Sequence, residues 1–184
     1  MLSDLGLLIL RLVVGGLLGG HGSQKLFGWF GGFGLQGTAG WLESLGMKPG
    51  TFWAAGAATS EFGGGALTAL GLLHPLGPIG TIAAMVMATA KAHWGKPIWV
   101  AEGGAELPVL NIAAALALAL TGPGRLSLDS LFGIRLPRTL VALVIVAEAI
   151  LIAVGVSTRP TAKPSPAEEH ASAKVEGGQG AESL

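Results

Sequence analysis

The chain has 184 residues, of which 51% are hydrophobic and 12% charged, about half the roughly 25% charge of an ordinary globular domain. Basic and acidic residues balance at 11 each, so no basic field is available to hold a phosphate backbone, and nucleic-acid binding is not expected. Cysteine is absent, which removes thiol–disulfide exchange, thiolate-held iron–sulfur clusters and Cys-ligated zinc.

A membrane-crossing helix needs about 20 predominantly apolar residues. Residues 5–28 meet this first. No Lys or Arg precedes the run and no small-residue cleavage site is evident, so it reads as a retained helix rather than a signal peptide. Residues 29–50 follow as a Gly/aromatic loop whose Trp29, Phe30, Phe33 and Trp41 suit the membrane–water interface. Residues 52–73 form a second span, closed by His74-Pro75 and Gly77-Pro78. Residues 79–94 form a third, followed by a loop, 95–104, that contains Trp99. Residues 105–121 form a fourth, stopped by Gly122-Pro123-Gly124. Residues 140–156 are again almost wholly apolar and read as a fifth span. The tail, 157–184, lacks aromatic residues and is rich in Ala, Glu, Ser, Pro and Gly, a composition expected to stay disordered.

Small residues recur inside two of these helices. Gly15-x3-Gly19, Gly16-x3-Gly20 and Gly56-x3-Ser60-x3-Gly64 let backbones approach closely where lipid supplies no hydrophobic drive between helices. Room for a flat ligand beside Gly63-Gly64-Gly65 is the functional alternative to tight packing.

Ionisable residues inside a membrane are costly and therefore candidates for function. At a rise of about 1.5 Å per residue, and with helices alternating in direction, His21, Lys25, Glu61, Lys91, His93, Glu106 and Asn111 all fall in one half of the bilayer. Arg11 shares the polar sector of the first helix but lies deeper toward the N-terminal side. Lys91 and His93 are two apart and face different ways, and His93 is the better inward candidate. Glu148, in the fifth span, is expected to pair with Arg11 or to face the interior.

Three chemistries suit this set. Two histidines on separate helices can ligate a haem. A His, Lys and Glu set can hydrogen-bond a quinone carbonyl and exchange protons with it. Paired carboxylates can conduct protons or ions. The motifs H-E-x-x-H, G-x-S-x-G and Gly-x4-Gly-Lys-Ser/Thr are missing, and no metal site is indicated.

Leu10-Arg11 through His21-Gly22, Lys25-Leu26-Phe27-Gly28, Glu61-Phe62-Gly63-Gly64-Gly65-Ala66-Leu67 and Glu106-Leu107-Pro108-Val109-Leu110-Asn111 resemble the DoxX family of bacterial membrane proteins. The resemblance covers about residues 5–129. It implies an all-α, polytopic four-helix membrane bundle in the bacterial inner membrane. It also implies an oxidoreductase or redox-linked role, from the family's link to quinol oxidation and thiosulfate metabolism in archaea. The family's polar set corresponds here to Arg11, His21, Lys25, Glu61, His93, Glu106 and Asn111, the candidate cofactor-binding residues. The fifth helix, with Glu148, and the tail lie beyond the four-helix core and inherit no role.

The expected organisation is thus a DoxX-like domain over 1–129, a linker and fifth transmembrane helix over 130–156, and a polar tail over 157–184. A quinone is the leading ligand and haem the weaker one. Lipid is the first partner, with soluble redox enzymes and a second copy of the chain as others. A scaffold for soluble redox or stress enzymes and a small transporter or proton conductor are the competing functions. The densest basic block, Arg125, Arg135 and Arg138, argues for a cytoplasmic N-terminus, whereas the total count of Lys and Arg argues for the reverse.

Overall fold

A computed structural model describes residues 1–158. The expected disorder of the tail therefore lies almost wholly outside the described residues. These are helical with turns, and contain no strand.

Helix α1, Leu2–Phe27, has 26 residues and so is about 39 Å long. It ends at Gly28, whose φ of 72° closes the helix in the left-handed conformation. A short 3₁₀ turn, Trp29–Gly31, leads to α2, Gly34–Ser44. Residues 29–50, expected as a loop, thus contain a helix. Its glycines Gly34, Gly37 and Gly40 suggest a loop, but Ala39 and Leu42 are buried and Leu35 packs against them, giving α2 one apolar face. The Thr38 hydroxyl also donates to the Gly34 carbonyl at 2.8 Å.

Helix α3, Gly50–Leu70, returns and ends at Gly71. Helix α4, Leu76–Ala88, continues as a π turn over Thr89–His93. A 3₁₀ turn, Val100–Glu102, precedes α5, Glu106–Thr121. Helix α6, Leu128–Phe132, is short, with the Ser127 hydroxyl capping it by accepting from the Ser130 N–H at 3.2 Å. Helix α7, Arg138–Ser157, completes the described chain.

Helix α1 packs on α3, α3 on α4, and α4 on α5, which returns to α1. Helix α2 lies against α1 and α3, and α7 against α4. The α1–α3 crossing is made of glycine. A Cβ at Gly65 would fall 2.5 Å from the Gly19 nitrogen, one at Gly15 2.5 Å from the Gly65 carbonyl oxygen, and one at Gly22 2.3 Å from the Phe62 nitrogen. The space beside Gly64 and Gly65 is therefore taken by neighbouring helices, whereas Gly63 faces open space. Gly16 and Gly20 face open space. The contact row on α1 is Gly15 and Gly22, with the Gly19 backbone between them against Gly65.

The interior is unlike that of a water-soluble protein. Its buried residues include Ala54, Ala58, Ala115, Thr68, Thr81, Arg11 and Glu61 beside Leu18, Met47 and Leu118, while Leu5, Ile9, Leu12, Val13 and Leu17 form an exposed stripe along α1. Leu143, Ile145, Val146, Ile150 and Val154 do the same on α7. Exposed apolar faces around an interior that mixes small, polar and a few large side chains suit a lipid surround. Helices α1 and α7 are long and apolar enough to cross a membrane. Helix α5 is apolar but has 16 residues, and α3, rich in Gly, Ala and Thr, is long but less hydrophobic.

Candidate functional site

The cavity is built where α1, α3, α4, α5 and α7 converge with α2. It has a volume of about 400 Å³. Apolar side chains form most of it, among them Trp41 and Leu42 of α2, Met85 and Met87 of α4, and Leu151 and Ile152 of α7. The polar lining is His21 and Lys25 from α1, Ser60 and Glu61 from α3, Lys91 and His93 from the π turn, Asn111 from α5, and Glu148 from α7. A mostly apolar pocket with a few convergent polar groups is the usual form of a small-molecule site.

Each polar group has a distinct state. The Lys25 ammonium donates to a carboxylate oxygen of Glu61, which joins α1 to α3 and neutralises two buried charges within the chain. The Lys91 ammonium donates to the Thr158 carbonyl at 2.7 Å and to its hydroxyl oxygen at 2.9 Å, just beyond the end of α7. His93 Nδ1 lies 2.7 Å from the Gly103 carbonyl oxygen. That acceptor requires a proton on Nδ1, so in the neutral ring Nε2 carries a lone pair. The same follows for His21. Its Nδ1 lies 3.1 Å from Gln24 Oε1, and the Gln24 amide nitrogen donates to the Phe30 carbonyl at 3.3 Å.

The π turn bears on this lining. Residues two apart on a regular helix point about 200° apart, yet Lys91 and His93 both line the cavity. A π turn winds wider than an α-helix and often marks a working site.

Two of the sequence candidates do not line the cavity. Glu106, at the start of α5, accepts from the Val100 N–H at 2.9 Å and serves the preceding turn. Arg11 lies at the other end of the fold, 2% exposed, with one guanidinium nitrogen donating to the Leu126 carbonyl. Near it, buried Asp129 accepts from the backbone N–H groups of Leu73 at 2.8 Å and His74 at 2.7 Å, so that α6 clamps the turn between α3 and α4. Burial holds the His74 imidazole below its usual pKa, partly offset by a hydrogen bond with the Ala119 backbone and by Asp129. Glu148 and Arg11 do not pair. Among the described residues no group of three or more His, Cys, Asp or Glu side chains could hold a metal ion.

Residues 6–94 match the family model described as DoxX. The chain belongs to the DoxX family. It is a membrane protein, and α1 and α7 expose apolar faces in keeping with that. The DoxX match takes in α1 to α4 with the π turn, and so His21, Lys25, Glu61, Lys91 and His93. It is narrower than the resemblance read from the motifs, which ran to about Asp129. Asn111 and Glu148 fall outside it. No curated protein matches the chain. No solved structure matches it.

Two ionisable lining residues, Lys91 and Glu148, stand outside the cofactor-binding set that the family resemblance implies. Lys91 was set aside on helical geometry, which the π turn alters. Glu148 was placed outside the core because nothing in the sequence tells which helix α7 packs against.

Proposed function

We propose that this DoxX protein is a multi-pass protein of the bacterial inner membrane that binds a quinone headgroup in the cavity and works in a redox process. In this reading residues 1–129 form the four-helix membrane domain, α7 is a fifth span, and a soluble redox enzyme is the electron partner. The observation that carries it is the join of a roughly 400 Å³ apolar cavity to two imidazoles whose Nε2 atoms have no partner among the described residues. A quinone headgroup is a flat apolar ring with two polar ends, and it travels in lipid. The cavity offers Trp41, Met85 and Leu151 to such a ring, the Asn111 amide to a carbonyl oxygen, and the Nε2 lone pairs of His21 and His93 to the hydroxyls of the reduced headgroup.

The competing conduction route needs Glu61 and Glu106 to act together. Glu61 is bound to Lys25, and Glu106 is bound to the Val100 N–H away from the cavity lining. That argues against a shared carboxylate path.

The test is direct. The full chain, purified in detergent, is extracted with organic solvent and the extract analysed for quinones, while an absorption spectrum checks for haem. Decylubiquinone is then titrated into the protein in lipid nanodiscs by calorimetry. Saturable binding that weakens in Asn111→Leu is expected. No extractable quinone together with no measurable binding overturns the reading.

A further inference from the structure

Helix α6 is reversed relative to a helix on a water-soluble protein. Its charged residue, Asp129, is 6% exposed and accepts from the Leu73 and His74 backbone N–H groups, and the Asp129 N–H donates to the Gly71 carbonyl at 3.0 Å. Its large apolar residues point the other way, with Leu131 72% and Phe132 66% exposed. A surface helix in water turns its apolar side to the core. These polar ties instead fix α6 with Leu131 and Phe132 outward, where an apolar cover is called for.

The rim around this pair is basic. Arg125 precedes α6, and Arg135 and Arg138 follow it. All three are exposed, and their guanidinium groups make no ion pair and no hydrogen bond among the described residues. Between Glu106 and Glu148 the sequence has no acidic residue besides the buried Asp129. Asp4 comes near, but its carboxylate accepts from the Arg125 backbone N–H at 2.9 Å and lies 3.4 Å from the N-terminal ammonium.

Position indicates what covers the pair. Arg138 is the first residue of α7, which is long and apolar enough to cross a membrane. Leu140 and Leu143, in the first turns of α7, are exposed as well. Guanidinium groups at the mouth of an apolar helix, beside outward apolar side chains, match the phosphates and acyl chains of a lipid leaflet.

We propose that α6 and its flanking arginines bind anionic phospholipid, with Leu131 and Phe132 entering the acyl boundary and Arg125, Arg135 and Arg138 holding headgroup phosphates. The surface lies away from the cavity and does not depend on what fills it. A guanidinium suits a phosphate because its fork donates two parallel N–H bonds. Each basic residue close to an anionic surface contributes about fivefold in affinity. A zwitterionic lipid carries the same phosphate but brings its own cation, so the three arginines favour the anionic one.

The experiment uses the full chain carrying Phe132→Trp in nanodiscs made of equal parts phosphatidylglycerol and phosphatidylcholine. One lipid or the other is brominated near the headgroup end of its acyl chains. Bromine quenches the tryptophan it touches, so the two quenching values report the lipid composition around that position. The emission of Trp29, Trp41, Trp53, Trp94 and Trp99 is measured in the native protein and subtracted. Brominated phosphatidylglycerol is expected to quench about fivefold more than brominated phosphatidylcholine. Replacing Arg125, Arg135 and Arg138 together by Gln should bring the two to equality, whereas replacing them by Lys should keep most of the preference. Unchanged emission from the native tryptophans shows that each variant remains folded. Equal quenching by the two lipids before any arginine is changed overturns the proposal. So does a preference that survives the triple Gln replacement, or quenching by aqueous iodide with none by either lipid.

Discussion

The ammonium of Lys25 on α1 donates to the carboxylate of Glu61 on α3, and the pair stands in the wall of the cavity. Glu61 is buried and Lys25 partly so. Removing one member leaves the other charge uncompensated, whereas removing both with apolar replacements is far milder. Lys25→Met and Glu61→Leu are each expected to cost on the order of a few kcal/mol. The double variant should cost less than either. Thermal unfolding by circular dichroism in detergent provides the check, and additive losses would contradict it.

The α1–α3 crossing yields a contrast between adjacent glycines. Gly15→Ala drives a methyl into the Gly65 carbonyl, whereas Gly16→Ala points into open space. The first is expected to lose about 1–3 kcal/mol through overpacking, and the second to be neutral or slightly stabilising, because alanine favours the helix over glycine. The melting temperatures of the two variants, compared side by side, decide it.

Asp129 holds the turn between α3 and α4 through two backbone N–H groups. Asp129→Ala strips both and should cost about 3 kcal/mol, given the usual worth of hydrogen bonds to charged acceptors. Asp129→Asn keeps one acceptor oxygen and should fall between. Chemical unfolding followed by circular dichroism ranks the three proteins.

His74 in that turn links stability to pH. Its folded pKa lies below the ordinary value of 6.5, chiefly through burial. The unfolded chain therefore binds the proton more readily, so stability falls as pH drops through about 6.5 and is full above it. Asp129 and Arg11 also act on this ring. His74→Gln is expected to flatten the fall in melting temperature between neutral and mildly acidic pH. An unaltered slope would show that another group carries it.

The long apolar stretches are legible because an apolar helix leaves a long, uninterrupted signal. Helices α2 and α6 are not. The glycines of α2 mimic a loop, and α6 is five residues set by the Ser127 cap. His21, Lys25, Glu61, His93 and Asn111 could be grouped because depth along a helix follows from residue count alone. Which side of a helix meets which neighbour does not follow from counting. That is why Glu106 shares a depth with the cavity without lining it, and why nothing in the sequence joins Glu148 to it; Arg11, which depth sets toward the N-terminal side, enters the candidate set through the family resemblance alone.

All five tryptophans, Trp29, Trp41, Trp53, Trp94 and Trp99, belong to the end of α1, to α2, to the start of α3 and to the connection from α4 to α5, and the chain has no tyrosine. Intrinsic fluorescence therefore reports on the cavity end of the fold, while the Arg11–Asp129 end is optically silent. A fluorescence melt and a circular dichroism melt of the same sample will separate if the two ends open independently. Their coincidence or divergence is a built-in measure of whether the protein unfolds as one unit.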